Sequence, residues 1–91
     1  MCGESAGVQM GSLACSLQGR DKGRFYLVVG IDRCGMVLMV DGEKRKVNNP
    51  KRKNLKHLKV YREVATMLVE KIQAGKRIAD VDVRKAIKSL L

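Results

Sequence analysis

Aromatic side chains are scarce in this 91-residue chain, which has no Trp, one Phe and two Tyr. Phe25, Tyr26 and Tyr61 are too few for the row of stacking platforms on which single-strand nucleic-acid binders lay successive bases. Histidine occurs once, as His57, near Lys56 and Lys59. There is no second imidazole to share a metal. The three cysteines, Cys2, Cys15 and Cys34, are odd in number and lack C-x-x-C spacing. That suggests neither a disulfide framework nor a zinc site and fits a reducing cytoplasm. No apolar run approaches the ~18 residues of a membrane span, so no membrane partner is expected. Residues 1–7, MCGESAG, have neither a basic nor an apolar signal region and read as a disordered lead-in. A chain of this length makes one domain with a modest core and leaves little room for a deep pocket. No nucleophile–base pair or metal set can be assembled. The expectation is a protein without catalytic activity, cofactor, metal or small-molecule substrate.

Acidic residues are missing from one long stretch. Residues 44–62 hold nine of the 19 Lys and Arg, namely Lys44, Arg45, Lys46, Lys51, Arg52, Lys53, Lys56, Lys59 and Arg62, with no Asp or Glu among them. The ten cations elsewhere nearly balance the nine acids, so the formal charge of +10 is one local field. Such a field attracts a polyanion; the plainer reading is a solvated basic surface. The strands on either side favour nucleic acid.

Alternation organises the first half of the chain. In 12–18, Leu13, Cys15 and Leu17 fall on one side and Ser12, Ser16 and Gln18 on the other, the period of a strand. RFYLVVGI, 24–31, reads as a central strand, with Phe25, Leu27, Val29 and Ile31 opposed to Tyr26 and Val28. Gly30 marks a bend or bulge. After the turn 32–35, residues 36–40 form a third strand, and Asp41-Gly42 signals a hairpin leading into a fourth strand at 44–47. Asn48-Asn49-Pro50 breaks the chain, 51–54 reads as a loop, and 55–60 forms a last strand. Five short antiparallel strands in about fifty residues predict a mainly β fold, a small SH3-like barrel over 8–60.

The period then changes. Tyr61, Ala65, Leu68 and Ile72 are helically spaced, predicting a helix over 61–74 that stops at Gly75. Asp80 is a candidate N-cap for a second helix, with Asp82 in its first turn and Val83, Ala86, Ile87 and Leu90 along its apolar stripe. Residues 61–91 therefore read as a helical hairpin appended to the barrel. Neither helix is long enough to stand alone.

The turn 18–24 carries the sharpest signal. Gly19 and Gly23 permit backbone geometry and close approach that other residues do not. Arg20, Lys22 and Arg24 alternate between them and can grip successive phosphates; the plainer reading is a hairpin with solvated charges. Asp21 reads as a residue that orders the turn through its carboxylate rather than as a catalytic acid. Asp80 and Asp82 read as helix caps rather than a catalytic pair. Tyr26 is either a stacking platform or a covered core tyrosine.

The stretch 11–42 resembles the KOW motif of ribosomal proteins and Nus-type transcription elongation factors, a strand, a glycine-containing turn and a second strand. The residues that carry the resemblance are GSLACSLQGRDKGRFYLVVGI, then VDGEKRKV, then NPKRKNLKHL. Ser16, Gly19, Arg20, Asp21, Lys22, Gly23 and Arg24 match the turn pattern S-x-x-G-R-D-K-G-R. The chain resembles in particular archaeal and eukaryotic large-subunit ribosomal proteins and short bacterial KOW-domain proteins, over residues 8–60. The resemblance implies an RNA-binding module, with ribosomal RNA as partner and ribosomal proteins as further contacts. Carried over residue by residue, it points to Gln18, Gly19, Arg20, Lys22, Gly23 and Arg24 in the turn. It points also to Lys44, Arg45, Lys46, Lys51, Arg52, Lys53 and Lys56. Cys15 stands where the family usually has a larger residue such as Tyr, which argues against base stacking beside the turn. Scarce aromatics and clustered cations together predict recognition of folded RNA through shape and phosphates. The rival expectation is a protein-interaction module using the barrel and the two amphipathic helices.

Overall fold

The computed structural model describes residues 8–91. The lead-in expected at 1–7 lies outside the described residues. The elements are β1 (Ser12–Ser16), β2 (Phe25–Ile31), β3 (Val37–Val40), β4 (Lys51–Lys53), a 3-10 turn (Leu55–His57), β5 (Leu58–Val64), α1 (Thr66–Gln73) and α2 (Asp80–Leu90). The strands form one antiparallel sheet in the order β4-β3-β2-β1-β5. Its register shifts between Val28 and Gly30, the bend that Gly30 signalled.

The central strand divides as its alternation predicts. Tyr26 and Val28 join Ala14, Val37, Met39 and Leu58 in one core, closed further by Val8, Leu55 and Val60. Leu27 joins Leu13, Val40, Ala65, Leu68 and Val83 in a second, with Phe25 and Val29 packed against it. The sheet thus buries both faces, one within its own curl and the other beneath the helices. Ile78, Ala86, Ile87 and Leu90 complete the helical side. Val83 is wholly buried there, and burying such a side chain contributes about 1.5–3 kcal/mol. Because both faces are covered, Ser12 and Ser16, expected on a polar side, are each 1% exposed. Leu17, expected inside, lies beyond the end of β1 and is exposed.

Five expectations are corrected. Asp80, expected as the N-cap of the second helix, is the first residue of α2 behind Ala79 at the cap, and its carboxylate is turned to the Val47 N–H. No strand forms at 44–47. There the Asp41 carboxylate takes the Glu43 and Arg45 N–H groups at 2.9 and 2.8 Å, and Asp80 takes that of Val47 at 2.7 Å. Donors needed for a ladder are captured by side chains, and 41–50 becomes a loop held by α2. The fourth strand is instead Lys51–Lys53, expected to be loop, paired with β3. The segment 55–57 is a 3-10 turn, capped by Asn54, whose side chain accepts from the Lys56 N–H. Finally, the expected helix over 61–74 begins only at Thr66. Residues 61–64 continue β5, where Ser12 pairs with Val64, so pairing overrides the helical spacing.

Candidate nucleic-acid interface

The turn 18–24 joins β1 to β2, and both of its glycines adopt the left-handed backbone, Gly19 at φ 92° and Gly23 at φ 87°. The Ser16 N–H donates to the Arg24 carbonyl and the Gly23 N–H to the Ser16 carbonyl, which closes its base. Asp21 occupies its centre. One carboxylate oxygen lies 2.8 Å from the Ser16 hydroxyl and accepts from Lys53 Nζ at 2.8 Å. The other accepts from the Tyr26 hydroxyl and from Lys51 Nζ, each at 2.8 Å.

Lys53 is consumed in this arrangement. Its ammonium also donates to Ser16 Oγ and to the Gln18 carbonyl, both at 2.6 Å, so three acceptors match its three protons. Its side chain is only 11% exposed. Burial pushes the Asp21 carboxyl up, but the hydrogen bonds from Lys51, Lys53, Tyr26 and Ser16 outweigh it and hold it well below the usual carboxylate range. Burial, then the hydrogen bond to Asp21 and its charge, push the Tyr26 hydroxyl above its ordinary value. Tyr26 is 2% exposed, a covered core tyrosine and not a stacking platform.

The alternation of β4 explains how three adjacent cations sit in one strand. Lys51 and Lys53 point to one side and meet Asp21; Arg52 points to the other and meets Asp32 at 2.7 Å. Asp32 in turn accepts from the Cys34 and Met36 N–H groups, which shapes the β2–β3 turn. A fourth pair joins Arg24 to the buried Asp41 at 3.2 Å. Burial raises the Asp41 carboxyl, and the N–H groups of Arg45 and Glu43 with the Arg24 guanidinium bring it below its ordinary value.

These contacts gather several segments at one end of the sheet. Arg24–Asp41 ties the turn to the loop 41–50, Lys53–Gln18 ties β4 to the turn, and the Leu17 N–H donates to the His57 carbonyl at 2.9 Å. Among the described residues, Arg20, Lys22, Lys44, Lys46 and Lys56 at this end are exposed and form no ion pair. Glu43 is the exposed acid beside them, whereas Asp21 and Asp41 are neutralised within the fold.

The cations selected from the sequence thus fall into two groups. Lys51, Arg52, Lys53 and Arg24 are held by carboxylates, while Arg20, Lys22, Lys44, Lys46 and Lys56 face outward. Gln18 gives its carbonyl to Lys53, and Arg45, half-buried, anchors the loop through its backbone. Sequence reasoning missed the roles of Ser16, Tyr26 and Asp41. The available signal was the spacing of Lys51, Arg52 and Lys53, whose two-residue period matches carboxylates on opposite sides.

No group of three or more His, Cys, Asp or Glu that could hold a metal ion occurs among the described residues. No helix among them is long and apolar enough to cross a membrane. No protein-family model matches the chain. Over 80 residues it is 35% identical to a Bacillus subtilis (strain 168) protein named "Putative ribosome-binding protein YbzG", covering 88% of this chain and 97% of that one.

Proposed function

Because the chain belongs to the family of the Bacillus subtilis protein YbzG, we propose that it associates with the ribosome as a non-catalytic, KOW-type module that binds structured ribosomal RNA. The observation that carries this reading is the set of Arg20, Lys22, Lys44, Lys46 and Lys56, exposed and free of ion pairs among the described residues, on segments that the Arg24–Asp41, Lys53–Gln18 and Leu17–His57 contacts draw to the glycine turn. Asp21 and Asp41 are already paired within the fold and Glu43 is the exposed acid beside these cations, so phosphates meet a field little opposed by fixed negative charge. Neutralising phosphates releases counterions, which supplies affinity, while the fixed turn supplies shape. Buried Tyr26 is itself withdrawn from base stacking, in keeping with recognition of folded RNA. The two free thiols described, Cys15 and Cys34, suit a cytoplasmic setting.

Crosslinking in cells followed by sequencing of the attached RNA tests the reading. Enrichment at one ribosomal RNA site is expected. Recovery of ribosomal RNA no greater than from an unrelated basic protein would overturn it.

A second reading, docking to a ribosomal protein, is favoured by one observation. An apolar groove of about 340 Å³ lies between α1 and α2, and Met67 beside it is 79% exposed. Contact with both RNA and a ribosomal protein is compatible with the two surfaces.

A further inference from the structure

We infer that Asp21 is a specificity-determining residue, which withdraws Lys51 and Lys53 from the RNA-facing surface so that the turn binds by shape instead of by indiscriminate charge. This rests on the RNA-binding reading above and concerns the same end of the sheet.

An acidic residue at the centre of a basic nucleic-acid turn opposes phosphate binding, and its simplest effect is to weaken affinity. Yet Asp21 is the most heavily bonded side chain of that turn. Ser16, Tyr26, Lys51 and Lys53 all reach its two oxygens at 2.8 Å. Lys53 has no proton left for a phosphate, because Ser16 and the Gln18 carbonyl take the other two. Two ammonium groups are thereby removed from the pool of mobile surface cations, and the backbone carrying Arg20 and Lys22 is fixed to β4. Mobile lysines bind any polyanion; cations on a fixed frame favour a partner whose phosphates match their spacing. Asp21 is a positioning residue, since it acts through Lys51, Lys53 and the turn and touches no RNA itself.

An isosteric Asp21→Asn variant separates the two effects. It keeps the shape of the side chain, loses the charge, and leaves one oxygen where there were two. With Asp21 no longer neutralising them, Lys51 and Lys53 become available to phosphates. The probes are deproteinised ribosomal RNA and poly(U), each titrated over a range of salt. For poly(U) the variant should bind more tightly than the natural protein. Its slope of log K against log salt should steepen by about 1.4, the increment for two added single-strand phosphate contacts. For ribosomal RNA the gain should be smaller or reversed, so the preference for ribosomal RNA over poly(U) should fall by about tenfold. A purely structural role would not steepen the poly(U) slope.

Tyr26→Phe serves where Asp21→Asn does not fold. It removes one hydrogen bond to Asp21 without changing any charge. It should reduce the preference for ribosomal RNA by a few fold and leave the poly(U) slope unchanged. An unchanged preference and slope in a folded Asp21→Asn protein would overturn the inference. So would an unchanged preference in Tyr26→Phe if Asp21→Asn is unfolded. No preference for ribosomal RNA over poly(U) in the natural protein would overturn the inference as well; if instead the natural protein binds neither RNA detectably, the RNA-binding reading itself fails, a distinct outcome.

Discussion

Lys53 Nζ sits 2.8 Å from Asp21 Oδ1, although one residue lies on edge strand β4 and the other in the turn between β1 and β2. In the ladder order, β3 and β2 stand between β4 and β1. The contact shows how far the sheet curls, for its edge strand comes back to the first turn. Lys53→Met keeps the stem and removes the charge. It should cost about 1.5–3 kcal/mol, the range for a hydrogen bond to a charged group, with Lys51, Tyr26 and Ser16 still holding Asp21. Urea denaturation checks this, with an expected lower midpoint and an unchanged slope. A midpoint within error of the natural protein would show that the pair contributes nothing.

The same relationship disqualifies an otherwise obvious mutant. Lys51, Arg52 and Lys53 look like three phosphate contacts in the sequence, and replacing all three with Ala looks like a clean loss of binding. In the structure that change strips Asp21 and Asp32 of their cations. The triple variant should therefore lose stability by more than Lys53→Met alone, which a thermal melt would show before any RNA is added. A melt matching the natural protein would contradict the assignment of these side chains to the fold.

Acid should expose the carboxylate network. Asp21, Asp32, Asp41 and Asp82 all lie below their ordinary values. For Asp21, Asp32 and Asp41, burial works in the opposite direction and is overcome by hydrogen bonds from cations or backbone. For Asp82 the Ala79 N–H is the leading cause, followed by Lys71. A lowered native value means that the unfolded chain takes up protons first as pH falls. The stabilisation is therefore complete above the unfolded carboxyl value of about 4 and is lost progressively below it. Urea midpoints should be level with respect to these groups between neutrality and about pH 5, then fall. In the alkaline direction Tyr26, raised in the native state, contributes stability that is lost as pH rises past about 10. Tyrosinate absorbance of Tyr26→Phe against the natural protein would separate its titration.

Gly42 couples the basic loop to α2. Its backbone lies at φ 77°, and a Cβ there would meet the Asp80 carbonyl at 2.5 Å and Arg84 Cγ at 2.8 Å. Arg84 meanwhile donates to the Gly42 carbonyl at 2.6 Å. Gly42→Ala should cost about 2 kcal/mol or more, because strained backbone and steric conflict add. Amide exchange should quicken first at Val47 and Arg45, whose N–H groups depend on Asp80 and Asp41. Unchanged protection at Val47 would mean that the loop does not depend on this contact.

Much of this fold was legible as alternation. The two faces of β2 are readable from Phe25, Leu27 and Val29 against Tyr26 and Val28, because a strand packed on both faces still sorts its side chains by parity. The corrected elements share a physical cause. Lys44 to Val47 has strand spacing, but Asp41 and Asp80 capture its N–H groups, one from the preceding turn and one from a distant helix. Lys51, Arg52 and Lys53 look like a solvated loop until Asp21 and Asp32 are seen to accept them. Tyr61 and Val64 suit a helix by spacing and a strand by residue type, and pairing with β1 decides. In each case a long-range partner overrides the local pattern. The candidate interface was legible as a set of cations, but not in its division. Only tertiary structure separates the cations spent on the fold from those left outside.

That division is also the central claim, and the salt dependence of ribosomal RNA binding tests it most directly. If Arg20, Lys22, Lys44, Lys46 and Lys56 each meet a phosphate, log K should fall with log salt at a slope of about −4. Replacing all five with Gln should remove most of that slope and leave the thermal midpoint within a few degrees of the natural value. A five-residue variant that folds and binds ribosomal RNA with the original slope would contradict the account.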